Sequence, residues 1–151
     1  MQMHPTRSWS RRIAAAVLAI SAMGAIPVLS ACSSDTPPSS SASPATGQHI
    51  AASDFSTAMK APGTIVLDVR TPTEFAGGHL PQAQNIDIEA ADFATRIAAL
   101  VKNATYAVYC RSGNRSGTAL EQMAAAGFTH VYDLADGIVA WQNMGGPLST
   151  S

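Results

Sequence analysis

Thr105-Tyr106-Ala107-Val108-Tyr109-Cys110-Arg111-Ser112-Gly113-Asn114-Arg115-Ser116 is the stretch whose reading decides the fold. Its first five residues form an apolar, strand-like run, and an alanine-rich helical pattern continues from Thr118 to Ala126. A strand, a tight loop and a helix together make an anion cradle. The first-turn amides of the helix have no intrahelical acceptor, and the macrodipole places partial positive charge at that end. Cys110 sits at the mouth of this cradle, flanked by Arg111 and Arg115. Such surroundings favour the thiolate, which is the nucleophilic form of cysteine. Gly113 supplies the backbone freedom a sharp turn requires. The loop therefore reads as an activated cysteine facing an anion. A lone cysteine without this context would read as a small buried hydrophobe.

The same alternation recurs on either side. Thr64-Ile65-Val66-Leu67-Asp68-Val69 is a β-branched apolar run, as expected of a buried central strand in a parallel sheet. Pro62-Gly63 turns the chain into it, and Arg70-Thr71-Pro72 breaks it. Upstream, 49–51 suggests a short edge strand, and Ser53 or Asp54 is placed to cap a short helix carrying Phe55, Ala58 and Met59. Downstream, 73–76 reads as a helical turn and 83–86 as a short strand. Residues 92–101 read as an amphipathic helix with Phe93, Ile97, Leu100 and Val101 on its buried stripe. The helix over 116–126 should bury Leu120, Met123 and Ala124 and end at a Gly127 cap. A strand at 130–132 and a helix at 137–143 complete the pattern. Strands alternating with helices predict an α/β fold, with a mainly parallel central sheet flanked by helices on both faces. Ligands in such folds bind beyond the carboxyl ends of the strands, where Cys110 falls.

Length and charge narrow the function. The 151 residues predict one domain with appendages, and only 13% of them are charged, well below the usual quarter. The net charge is −1, but Arg7, Arg11 and Arg12 lie in the first twelve residues. Beyond them six basic residues face ten acidic ones, and two of the six are Arg111 and Arg115. An acidic domain that concentrates a third of its positive charge in one short loop is suited to focusing a small anion, and unsuited to nucleic acid.

Residues 1–31 read as an export signal. The arginines form its basic segment, and an apolar run extends from Ile13 to about Leu29. At about seventeen residues the run is short for a spanning helix. It ends in Leu29-Ser30-Ala31-Cys32, which resembles a bacterial lipobox, in which the cysteine is lipidated and becomes the mature N-terminus. Residues 32–48, rich in Ser, Pro and Thr, offer no apolar surface to bury and predict a disordered tether. Such a tether would hold the domain about 20–25 Å from the membrane. The expected location is the extracytoplasmic face of a bacterial cell membrane, anchored by lipid. Arg11-Arg12 is a weak hint of twin-arginine export, so the export route stays open. The folded domain is expected over 49–148, with a short tail at 149–151. With Cys32 acylated, Cys110 has no partner within the chain.

Three motifs in order resemble those of a small single-domain rhodanese. The first runs Asp68-Val69-Arg70-Thr71-Pro72-Thr73-Glu74-Phe75 and continues through Gly78-His79-Leu80-Pro81 to Ala83 and Asn85-Ile86. The second is the Cys110 loop, and the third is Asp136-Gly137-Ile138-Val139-Ala140-Trp141. Together they cover nearly all of the expected domain. Two turns depart from the pattern: Gln82-Ala83 stands where the family usually has Gly-Ala, and Asp136-Gly137 where it has Gly-Gly.

The resemblance implies sulfur transfer by a thiosulfate sulfurtransferase-like enzyme. Cys110 would be the catalytic nucleophile and would carry a persulfide between a small anionic donor such as thiosulfate and a cyanide or thiol acceptor. Arg111 and Arg115 would pair with donor oxygens, and Ser112, Gly113 and Asn114 would line the substrate. Asp68 and Arg70 are expected to form a charge pair that fixes the loop after their strand. His79 is expected to be a hydrogen-bonded structural residue, and Trp141 to pack. No metal and no organic cofactor is called for, and a monomer is expected. The competing readings are a persulfide carrier or redox-sensing module without turnover, and a cysteine phosphatase or arsenate reductase. The last have five residues between Cys and Arg, whereas Cys110 and Arg115 enclose four.

Overall fold

A computed structural model of the protein describes residues 44–150. The expected export signal, Cys32 and most of the tether lie outside the described residues. Five strands form one sheet in the order β1-β5-β4-β2-β3: β1 (Gln48–Ile50), β2 (Thr64–Asp68), β3 (Gln84–Asn85), β4 (Thr105–Tyr109) and β5 (His130–Leu134). Every pairing is parallel, so the carboxyl ends of all five strands open on one side. The fold is the α/β architecture with a parallel central sheet that the alternation of strands and helices predicted.

The helices are α1 (Ala52–Ala58), α2 (Pro72–Ala76), α3 (Phe93–Ala98), α4 (Asn114–Ala125) and α5 (Gly137–Asn143). Alternating side chains of the strands feed two cores, one on each face of the sheet. On one face Leu67, Tyr106, Val108 and Val131 meet Phe93 and Ile97 of α3 and Leu120 and Met123 of α4. On the other, Val66, Ala107, Tyr109, Tyr132 and Leu134 meet Phe55 of α1 and Ile138 and Trp141 of α5. Trp141 packs in that core and donates its indole N–H to the Pro147 carbonyl at 2.9 Å.

Three local expectations are corrected. Neither Ser53 nor Asp54 caps α1; its cap position is Ala51, which has no side chain to do so, and both polar residues lie inside the helix. Val101 is 63% exposed, because α3 ends at Ala98 and the apolar periodicity outlasts the helix. Ala124 is exposed, and α4 instead buries Ser116, Ala119, Leu120 and Met123. Gly127 does follow α4 with a left-handed φ of 89°. At the other end of the domain the backbone of Ser149 exchanges two hydrogen bonds with His79.

Candidate active site

The site lies at the carboxyl ends of β2, β4 and β5. Register fixes its geometry. Asp68 pairs with Tyr109, and the Val69 amide donates to the Tyr109 carbonyl, so Arg70 and Cys110 leave adjacent strands side by side. Cys110 is a free thiol at the end of β4 and is 1% exposed. The loop from Cys110 to Gly113 turns back so that the Gly113 amide donates to Cys110 Sγ at 3.2 Å. Gly113 holds φ 91° at the cap position of α4, where no side chain caps the helix. The unclaimed first-turn amides therefore stay at the mouth of the loop.

Two close approaches hold the loop down. A Cβ on Gly113 would overlap the Ala135 carbonyl oxygen, and a Cβ on Gly137 would overlap the Arg111 carbonyl group. Gly137 has φ 61°, which a side chain rarely tolerates. The first amides of α5 then reach the loop from behind: Ile138 N donates to the Cys110 carbonyl at 2.8 Å, and Val139 N to the Arg111 carbonyl at 3.3 Å. Of the two departures from the family pattern, Asp136 sits at φ −104°, where no glycine is needed. Gln82 holds φ 64° and is the one non-glycine residue with positive φ among the described residues.

The two arginines of the loop are not equivalent. Arg115 donates to Glu74 through both terminal nitrogens, each at 2.8 Å, and approaches Glu89 at 3.4 Å. Glu74 is anchored in turn by a capping box with Thr71, which positions it at the start of α2. The Arg115 hydrogen bonds, aided by those from Thr71, hold the Glu74 carboxyl down to about 2 against the opposing effect of burial. The same hydrogen bonds raise Arg115, which also lies close enough to Cys110 to gain from a thiolate charge. Arg111 is exposed and has no carboxylate partner among the described residues. It lines a cavity of about 350 Å³ together with Thr73, Glu74, Gly78, Ile138 and Gln142. Ser112 and Asn114 are exposed at the loop tip.

Asp68 and Arg70 of the first motif form the charge pair expected of them, and it is buried. Arg70 Nε lies 2.9 and 3.0 Å from the two carboxylate oxygens, and its backbone amide donates to Asp68 Oδ1 at 2.9 Å. Its Nη2 also donates to the Gly78 carbonyl at 2.8 Å, which ties β2 to the turn before His79. Burial opposes the Arg70 charge, but Asp68 outweighs it and the net direction is upward. Removing either partner would strand a buried charge, at a cost of about 3–5 kcal/mol. His79 is buried, with Nδ1 3.0 Å from the Phe75 carbonyl and its ring stacked on Phe75 at 3.8 Å.

A further group behind the loop has no local signature in the sequence. Ser116 Oγ is 2.9 Å from the Gly113 carbonyl and 2.7 Å from Asp133 Oδ2. Asp133 Oδ1 is 2.7 Å from His49 Nδ1. Asp133 is fully buried, and burial pushes its carboxyl up. A polar residue inside the apolar run Val131-Tyr132-Asp133-Leu134 was the only available hint. Its partners come from β1 and α4.

Comparison with known proteins agrees with this geometry. The chain is 35% identical over 86 residues to the thiosulfate sulfurtransferase GlpE of Pseudomonas fluorescens, covering 56% of this chain and 76% of that one. It is 33% identical over 84 residues to a sulfurtransferase of Allochromatium vinosum, covering 56% and 77%. An uncharacterised Synechocystis protein is 37% identical over 83 residues, of which the chain spans 45% of the length. The crystal structure of a rhodanese-related protein from Thermoplasma volcanium superposes with a TM-score of 0.62 at 32% identity, covering 69% of this chain and 99% of that one. The rhodanese-like domain of an Anabaena protein gives 0.61 at 28% identity, covering 68% and 79%. The rhodanese-like domain family matches residues 51–144, a span from the start of α1 to the end of α5 that contains the Cys110 loop, the Asp68–Arg70 pair and both glycines that hold the loop down. By that match, and by the parallel sheet that carries it, the chain belongs to the rhodanese family.

Proposed function

We propose that the protein is a sulfurtransferase that moves sulfane sulfur from thiosulfate or a similar small anion to cyanide or a thiol, through a persulfide on Cys110. The observation that carries this reading is the Gly113 amide aimed at Cys110 Sγ, in an uncapped strand-to-helix loop with Arg111 uncommitted beside it. The Cys110 thiolate attacks the outer sulfur of thiosulfate. A new S–S bond forms, the old one breaks, and sulfite leaves with its electron pair. The persulfide is itself anionic, and the loop amide that faces Cys110 stabilises it as it would an oxyanion. Cyanide or a thiolate then attacks the terminal sulfur and returns Cys110 to the thiolate. Two half-reactions through a covalent intermediate predict ping-pong kinetics. Arg111 would hold donor oxygens as an electrostatic clamp, and Arg115 would shape the loop around them.

Intact mass after thiosulfate treatment tests the reading. The protein should gain one sulfur atom, lose it to cyanide, and be protected by thiosulfate from alkylation at Cys110; Cys110→Ser should show none of this. No sulfur uptake by the intact protein would refute it. Steady-state turnover with thiosulfate and cyanide separates an enzyme from a carrier that transfers once.

The chain is further proposed to be a lipoprotein held at the extracytoplasmic face of the membrane through Cys32, on the strength of Leu29-Ser30-Ala31-Cys32. No helix among the described residues is long and apolar enough to cross a membrane. Cys32→Ala should release the protein from the membrane fraction and abolish lipid labelling. A variant that still fractionates as an integral protein would overturn the proposal.

A further inference from the structure

The residues behind the cradle contain a proton-counting problem. Ser116 has one hydroxyl proton, yet its oxygen lies within bonding distance of two acceptors, the Gly113 carbonyl at 2.9 Å and Asp133 Oδ2 at 2.7 Å. It can donate to only one of them. The Gly113 carbonyl also accepts from the Gly117 amide at 2.8 Å. Gly113 is therefore gripped from both ends: its amide bonds Cys110 Sγ, and its carbonyl bonds either one donor or two.

The choice depends on the charge at Asp133. When Asp133 is an uncompensated carboxylate, it draws the Ser116 proton to itself. When it is protonated, or matched by an imidazolium at His49, that proton is released toward the Gly113 carbonyl. His49 is the contact through which solvent reaches this choice. Its side chain is 59% exposed, whereas that of Asp133 is 0% exposed. Imidazole is also the side chain whose charge changes between about pH 5 and 8. The other titratable groups on this face of the sheet leave His49 as the partner of Asp133. Cys110 ends β4, Arg115 of α4 turns to Glu74 and Glu89, and Glu121 of α4 is exposed.

We propose that His49, Asp133 and Ser116 are a proton-linked chain of positioning residues that grips the Gly113 carbonyl more firmly when His49 is protonated, and so makes the reactivity of Cys110 respond to the charge of a surface histidine. The chain regulates catalysis only if Cys110 is the nucleophile proposed above, but its test reads the thiol directly and needs no sulfur donor.

The full-length protein and two variants are alkylated with iodoacetamide between about pH 5 and 9. The rate is read by mass spectrometry on the peptide bearing Cys110, so that Cys32 does not contribute. His49→Asn keeps an N–H donor near the Nδ1 position but cannot titrate. Ser116→Ala keeps the histidine charge but cuts the chain. The wild-type profile should show a second ionisation besides that of the thiol. Below the histidine transition both variants should react more slowly than wild type, by roughly two- to tenfold, the range one hydrogen bond supports. Both profiles should reduce to a single ionisation. A wild-type profile with one ionisation overturns the proposal, as does a His49→Asn profile that superposes on wild type. Retention of the second ionisation in Ser116→Ala would also overturn it, since the histidine would then act through space and not through the chain. A protein that alkylates as expected but takes up no sulfur would leave the chain standing and refute the sulfurtransferase reading alone.

Discussion

Removing the charge of Glu74 tests whether Arg115 belongs to the framework of the cradle. Arg115 meets Glu74 through two bonds of 2.8 Å, and chiefly because of them the carboxyl is held down from 4.5 to about 2. A displacement of that size corresponds to about 3 kcal/mol of preference for the charged form. The two side chains are 30% and 26% exposed, so water and salt screen the pair. The expected contribution to stability falls to about 1–2 kcal/mol. Its sign follows from the direction of the shift. The folded value lies below the unfolded one, so the contribution is complete above about pH 5 and is lost as pH falls from 4.5 toward 2.

Glu74→Gln keeps the shape and one acceptor but removes the charge. In urea unfolding followed by far-UV circular dichroism, it should be about 1–2 kcal/mol less stable than wild type near neutral pH. The deficit should narrow between about pH 4.5 and 3, as the carboxyl of the unfolded wild-type chain takes up its proton while the folded one stays charged. A glutamine variant as stable as wild type at neutral pH would refute the pairing. So would a deficit that persists unchanged to about pH 3, because it would then stem from the α2 capping box and not from the charge.

Arg111→Ala should raise the Michaelis constant for thiosulfate more than Arg115→Ala does, while Arg115→Ala should lower both turnover and melting temperature and be rescued only in part by Arg115→Lys. Equal effects of the two alanine variants on the Michaelis constant, with no loss of stability in Arg115→Ala, would contradict the division of labour drawn from their partners. Gly113→Ala should abolish sulfur uptake, since its Cβ has no space beside the Ala135 carbonyl and its φ of 91° disfavours a side chain; a variant with sulfur uptake near wild type would show that the loop can rearrange. Gln82→Gly should stabilise the domain by about 0.5–1 kcal/mol in thermal unfolding, by relieving the left-handed conformation at φ 64°. A destabilised variant would mean that the Gln82 side chain contributes more than its backbone costs.

What could be read from the sequence was what neighbouring residues decide among themselves. The strand before Cys110 ends at Tyr109, where the apolar run ends, and α5 spans residues 137–143, as the pattern predicted. The Asp68–Arg70 pair was legible as part of the first motif, and its partners lie only two residues apart at the end of a strand. Val101 and Ala124 were misjudged for a local reason of another kind. Periodicity marks which residues would share a face if the helix continued, and does not say where it stops or how a neighbour rolls against it. His49, Asp133 and Ser116 could not be joined from the sequence, since 84 and 17 residues separate the contacting pairs and the lone polar Asp133 in an apolar run does not name its partners.

The loop arginines show where reading by motif ends and structure begins. By spacing alone Arg111 and Arg115 are two equal charges offered to an anion. In the fold, Glu74 and Glu89 arrive from 41 and 26 residues upstream and offset Arg115, leaving Arg111 and the loop amides as the uncompensated donors. Were both arginines free, the loop would hold two exposed cations about a buried thiolate and bind any small dianion firmly. With one of them bound, the cradle still stabilises charge on sulfur but releases an anion more readily. In the proposed reaction the site expels sulfite in one half-reaction and admits a new nucleophile in the next, and it needs that balance, because binding that favours bound anion and transition state alike does nothing for turnover. On this view Glu74 limits product retention, so sulfite inhibition of thiosulfate:cyanide turnover should strengthen in Glu74→Gln. Inhibition that weakens or stays unchanged would show that Arg115, even when released, does not reach the bound anion.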